Sequence, residues 1–128
     1  MTHFKRNGGK RMIRANIIAL PLKENMIGLV VCNRLLHRLP SEDRVAALTE
    51  LRRVSAGWAI VYYALSGAFR STIRRVEEIF GLTVPAGILF STKHAARTEI
   101  QHAKWTIVAE KSVLAGLSGG YVFLLKKT

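Results

Sequence analysis

Apolar and polar positions fall into blocks of two different periods along the chain. Ile27–Cys32 and Trp58–Leu65 are continuous apolar runs, as in strands buried on both faces. Between them, Val45, Leu48, Leu51 and Val54 recur at helical spacing, with Arg44, Glu50, Arg52 and Arg53 on the other side. Ser41 offers that helix an N-cap, Glu42 and Asp43 an acidic first turn, and Gly57 a left-handed stop. A second amphipathic helix sets Phe69, Ile73, Val76 and Phe80 against Arg70, Arg74, Arg75 and Glu78. After a loop over 81–90, Ser91 or Thr92 caps a third helix that reaches Ala103. Trp105–Val113 and Tyr121–Lys127 read as strands joined by a glycine-rich link. Ahead of all these, Met12–Leu20 reads as a short strand stopped by Pro21, and Arg34–Leu39 as a short helix ended by Pro40.

Strands alternating with helices predict an α/β domain with a mostly parallel sheet and helices on both faces. The last two strands are separated by a link too short for a parallel crossover, so the chain should finish in an antiparallel hairpin. Residues 1–11 read as a basic flexible arm and 12–128 as one domain, since 128 residues hold one domain at most. A hydrophobic share of 49% is enough to bury a core, which argues against bulk disorder.

Charge adds a second expectation. Twenty Lys and Arg against eight acids give +12 and a pI near 10.8, a field that attracts polyanions. Binding to nucleic acid is therefore open, but no zinc-finger spacing, aromatic-interleaved basic motif or recognition helix supports it. Cys32 is the sole cysteine, which excludes an internal disulfide and suits a reducing, cytoplasmic setting. No apolar run approaches the ~18–20 residues needed to cross a bilayer. His94 and His102 stand eight apart without a cysteine or carboxylate cluster, so no metal site is expected.

Several segments carry a family pattern in order: "ALPLKENMIGLVVCNRLLHRLP", "ALTELRRVSAGWAIV" and "VLAGLSGGYVFLLKK". Together they resemble the class I S-adenosylmethionine-dependent methyltransferases over about residues 12–128. The resemblance implies a partial Rossmann-like sheet ending in the antiparallel hairpin inferred from the link length. It covers the C-terminal two-thirds of the family's domain. The glycine-rich cofactor loop of the GxGxG type has no counterpart, because Gly8–Gly9 is a lone pair without a strand before it or a helix after it. Without the strands that accompany that loop, the strand at 27–33 would be an apolar sheet edge. Dimerisation or a shift of the 12–18 strand onto that edge is the expected repair, and a second polypeptide would serve equally.

By the same resemblance Asn16 accepts a hydrogen bond from the adenine, Ile17 packs on its face, and Asn33 lies near the cofactor's methionine portion. His37 matches the first of a frequent histidine pair, so it stands as a general base or a pocket-shaping group. Gly28 replaces a favoured Asp, and Lys104 replaces a frequent glycine, which should strain the turn before the following strand. In open α/β sheets ligands bind beyond the carboxyl ends of the strands. That places Tyr62, Tyr63, Ser66, Phe69 and Arg70 towards a substrate, with Arg70 suited to an anion. Cys32 reads as a core residue. The implied activity is methyl transfer from S-adenosylmethionine to a small-molecule acceptor, with weak or absent cofactor binding by the lone chain. The alternatives are a non-catalytic oligomerisation or interaction module with the same fold, and a basic nucleic-acid-binding protein.

Overall fold

The computed structural model describes residues 4–7, 10–64, 79–81, 92–113 and 120–128. Two short strands, β1 (Phe4–Asn7) and β2 (Lys10–Ile13), pair antiparallel in a sheet of their own. Four more form the main sheet: β3 (Ile27–Cys32), β4 (Ser55–Ala64), β5 (Trp105–Ser112) and β6 (Gly120–Lys127). Their order is β3-β4-β6-β5. β3 and β4 are parallel, while β6 is antiparallel to both of its neighbours. Three strands thus run one way, and the returning strand inserts between β4 and β5 rather than joining the outside of the sheet. Among the described residues two helices lie between the strands, α1 (Ser41–Val54) and α2 (Lys93–His102), and a 3-10 turn at Leu36–Arg38 leads into α1.

One core holds these elements together. Ala47, Leu48 and Leu51 of α1 meet Ala96 and Ile100 of α2 over Ala59, Val61, Tyr63, Phe123 and Leu125 of the sheet. Both described helices therefore cover one sheet face, rather than one face each. The same continuous runs that predict strands explain which residues point inward. Alternation along β4 buries Ala59, Val61 and Tyr63 and turns Trp58, Ile60 and Tyr62 to the other face. Trp105 closes the core at the start of β5 and donates its indole N–H to the Leu48 carbonyl at 2.9 Å.

The interior also holds an ion pair. Glu99 of α2 is buried and accepts from Arg44 Nε and Nη2 of α1, at 2.9 and 2.8 Å, from Tyr63 Oη at 2.9 Å and from Ser41 Oγ at 2.8 Å. Burial, followed by the neighbouring Glu99 charge, pushes the Tyr63 phenol well above its ordinary range. Arg44 also donates Nη1 to the Leu39 carbonyl at 2.8 Å, which ties the 3-10 turn to the same cluster.

Several expectations from the sequence are corrected. Phe4–Asn7 pairs antiparallel with Lys10–Ile13, where a flexible arm was expected over 1–11. Strand structure there ends at Ile13, because the Asn16 side chain accepts from Ile18 N and its carbonyl from Ala19 N, which turns the backbone. The 12–18 segment does not move in beside β3. Instead Glu50 accepts from Leu20 N, and Arg53 donates to the Leu20 and Leu22 carbonyls, pinning the following turn on α1. Pro40, not Ser41, occupies the N-cap, and the Ser41 hydroxyl serves Glu99 instead. Gly57 lies within β4, since strand pairing claims the chain from Ser55 onward. Arg44, expected on the solvent side, is interior. The apolar face expected of the second helix is described only at Phe80, which is exposed. Thr92 caps α2 as expected, accepting from Ala95 N at 3.1 Å.

Lys104 has φ +64, the left-handed conformation that a glycine adopts without steric cost. Lys104→Gly should therefore raise stability by about 1 kcal/mol in urea unfolding. Glu99→Gln leaves the Arg44 charge buried without its partner and should cost about 3–5 kcal/mol in the same measurement. Tyr63→Phe removes one bond to the carboxylate and should cost less, about 1.5–3 kcal/mol. Equal losses from these two would show that the charge is not what the cluster satisfies.

Candidate functional site

β3 and β4 run parallel, so their carboxyl ends share one rim of the sheet, and β6 starts at the same rim. Cys32 and Ala64 end the two parallel strands and Gly120 begins the third. This is where ligands bind in open α/β sheets, since strand ends and the following loops leave a crevice there. The chain leaves β3 through Asn33, which is exposed, and Arg34, which adopts φ +57. It then winds into the 3-10 turn that carries His37.

His37 is half-buried, and its ring stands edge-on to that of Tyr62, with centroids 6.3 Å apart and planes at 83°. Its Nδ1 is buried with no hydrogen-bond partner among the described residues. Burial, then the charges of Arg38 and Arg34, hold the imidazole below its ordinary range. It is therefore neutral at neutral pH, as a proton-accepting base must be. Tyr62 extends along the rim until its hydroxyl lies against Gly120. A Cβ at Gly120 would sit 2.8 Å from that hydroxyl, so only glycine admits the ring in this position.

The other expected residues divide. Tyr63 is a core residue whose hydroxyl is committed to Glu99, and Tyr62 takes the open face in its place. The apolar run that carries both gives no parity, so the sequence could not choose between them. Ser66, Phe69 and Arg70 lie outside the described residues. Asn16 is exposed and its Oδ1 accepts from Ile18 N at 3.2 Å, leaving one lone pair for another donor. Ile17 is half-buried against the core. Cys32 is buried, and burial pushes its thiol up to about 11, so it stays protonated and inert. A side chain at Gly28 would meet no atom within 4 Å, so the substitution for Asp reflects no lack of room.

A different feature lies at the opposite end of the sheet. Arg52, Arg53, His102, Lys104 and Lys127, with Glu24, line a cavity of about 430 Å³. Its cations are largely structural. Arg52 donates to the Lys104 and Thr128 carbonyls, and Lys127 to Asn25 Oδ1 and the Ser55 carbonyl.

Comparison with known proteins bears on the fold. A family model described as a methyltransferase domain matches residues 1–61. No curated protein sequence matches the chain. Among solved structures, a magnesium protoporphyrin IX methyltransferase from Synechocystis with bound S-adenosylhomocysteine is similar at TM-score 0.69 and 14% identity. That match covers 89% of this chain and 49% of the other. A SAM-dependent methyltransferase from Methanosarcina mazei matches at TM-score 0.69 and 14% identity, over 88% of this chain and 65% of its own. A Haloferax volcanii complex of a methyltransferase with the Trm112 activator contains a match at TM-score 0.66 and 10% identity, over 88% and 59%. The chain thus spans between about half and two-thirds of these structures.

The electrostatic account of His37 has a direct test. Arg38→Gln should move the midpoint of the His37 titration upward in an NMR pH series, towards the ordinary imidazole value, with burial holding it partly down. An unmoved midpoint would leave burial as the whole cause. The strand order, the reversed β6 and these matches agree: the chain has the fold of the class I S-adenosylmethionine-dependent methyltransferases.

Proposed function

We propose that this chain contributes one wall of a site for S-adenosylmethionine-dependent methylation of a small molecule. The observation that carries the reading is the half-buried His37, its Nδ1 without a hydrogen-bond partner among the described residues, in the turn that follows the carboxyl end of β3. Bound S-adenosylmethionine would supply an electrophilic methyl group on a sulfonium. Asn33 would lie along its methionine portion, and Asn16 would offer its remaining lone pair to the adenine. His37 would take the proton released by the acceptor and so keep its nucleophilic atom unprotonated. Orientation of donor and acceptor in line supplies much of the acceleration in such transfers, which suits a rim built on rigid strands.

The open edge of β3 supports a partner that completes the sheet. Among the described residues nothing pairs with its free side, and Leu29 and Val31 are 50% and 62% exposed. A second copy of the chain or another polypeptide would cover that edge, in a reducing compartment that keeps Cys32 a thiol. No helix among the described residues is long and apolar enough to cross a membrane. The same edge favours a second reading, in which the fold serves only as an oligomerisation or interaction module.

Calorimetry with S-adenosylhomocysteine distinguishes the two, run on the chain alone and at concentrations where mass measurement shows self-association. Heat that is lost in Asn33→Ala is the expected result. No heat at millimolar ligand in either state would overturn cofactor binding by this chain or its homo-oligomer and favour the module.

A further inference from the structure

The cavity at the amino end of the sheet holds more cation than its structural bonds consume. Three elements bring charge to it: α1 ends in Arg52 and Arg53, the turn after α2 supplies Lys104, and β6 ends in Lys127. Arg53 is spent, its guanidinium committed to Glu50 and to the Leu20 and Leu22 carbonyls. The other three are not. Arg52 places Nε and Nη2 on the Lys104 and Thr128 carbonyls, at 3.1 and 2.6 Å, which fixes its plane and leaves Nη1 without an acceptor among the described residues. Lys127 Nζ gives two of its three donors, to Asn25 Oδ1 at 2.6 Å and the Ser55 carbonyl at 2.9 Å. The Lys104 ammonium has no carboxylate partner among the described residues. Glu24 is the sole acid lining the cavity, so the three cations exceed the carboxylate charge beside them.

The negative ends of α1 and α2 do not account for this surplus. Carbonyls there are already met by main-chain donors: Leu51 by Ser55 N, Arg53 by Asn25 N, Glu99 by Ala103 N and Gln101 by Lys104 N. Lys104 is also the residue whose backbone fits least. It holds φ +64, where glycine has no steric cost and lysine does. Unfavourable backbone conformations cluster where a residue serves binding or catalysis. A lysine held there with its charge unengaged points to a task for that charge. Asn25, left-handed at φ +54, holds Lys127 across the cavity, so two such turns frame it.

We propose that this cavity binds an oligophosphate group, with Lys104, Arg52 Nη1 and Lys127 Nζ as its ligands. Its volume, about 430 Å³, falls within the range of small-molecule sites, roughly 300–1,000 Å³. Yet Ala103 is the one apolar residue that lines it, so an aromatic or aliphatic ligand would find no surface to cover. Donors arrive from three separate elements, which suits an anion with several charges and oxygens facing several ways. Arginine and lysine give phosphoryl oxygens strong, charge-assisted hydrogen bonds. The net charge of +12 draws polyanions towards the chain. The phosphoryl groups belong either to a free oligophosphate or to a nucleic-acid backbone, and the same donors serve both. This site does not depend on the methyl-transfer reading.

Calorimetry on the full chain at fixed ionic strength, with inorganic pyrophosphate and with citrate as a carboxylate polyanion, tests the proposal. Pyrophosphate should bind at least tenfold more tightly than citrate. Lys104→Asn keeps a residue that tolerates the left-handed backbone and should weaken pyrophosphate at least tenfold, whereas Lys104→Arg should retain it. Lys111→Gln removes an exposed charge at the other end of β5 and should change binding less than twofold. Urea unfolding of Lys104→Asn, at least as stable as the wild type, would show that the loss is not misfolding. No heat at millimolar pyrophosphate, equal binding of citrate, or equal weakening by Lys104→Asn and Lys111→Gln would overturn the site. Displacement of pyrophosphate by a single-stranded oligonucleotide would assign the phosphates to nucleic acid, and no displacement to a free oligophosphate, with the site standing in both cases.

Discussion

The buried carboxylate of Glu99 is the point on which the fold turns. It takes bonds from Arg44 and Ser41 at the start of α1 and from Tyr63 on β4, so one residue of α2 fixes both helices and the central parallel strand. A charge in the interior is tolerated only when it is paired and its lone pairs are satisfied, and here four donor groups do so. The cluster reaches the candidate rim as well. Arg44 holds the Leu39 carbonyl, and Leu39 closes the turn that carries His37. Core packing thus positions the candidate base through one guanidinium group.

Among the described residues the sheet is covered by helices on one face, and several large apolar side chains of the other face are exposed. Ala59, Val61, Phe123 and Leu125 lie under the helices, whereas Leu29, Val31 and Trp58 remain exposed. Lys126 lies over the Trp58 ring at 5.5 Å and shields part of that face. The edge strand β3 is a ready template for pairing, and the high positive charge of the chain opposes indiscriminate self-association. Charge also orders the far edge, where Lys93 and Arg97 of α2 meet Glu110 on β5 and hold that carboxyl below its ordinary range.

Several candidate positions were legible because their types are informative before folding. Asn33 and His37 follow an apolar run that reads as a strand, and both come after its carboxyl end; that strand is an edge with Leu29 and Val31 exposed, not the doubly buried one expected. The strained turn at Lys104 was visible as a missing glycine. Arg44 and Tyr63 were misread for a common reason. An arginine in an amphipathic helix ordinarily faces water, and a tyrosine near a strand end ordinarily faces a ligand. Only the position of Glu99, far away in the chain, makes both of them interior. Tyr62 and Gly120 form another such pair, since their close contact joins two strands that no local pattern relates.

The sequence by itself determined the α/β class, the central strands, the helix between them and the antiparallel finish, because apolar periodicity and link length depend on neighbours along the chain. It also carried the family resemblance whose fold the solved structures share. The tertiary structure decided which face each β4 side chain takes and where the segment before β3 is pinned. It alone brought Glu99 to Arg44 and Tyr62 to His37. A continuous apolar run has no parity of its own, and a buried charge chooses its partner only when distant elements come into contact.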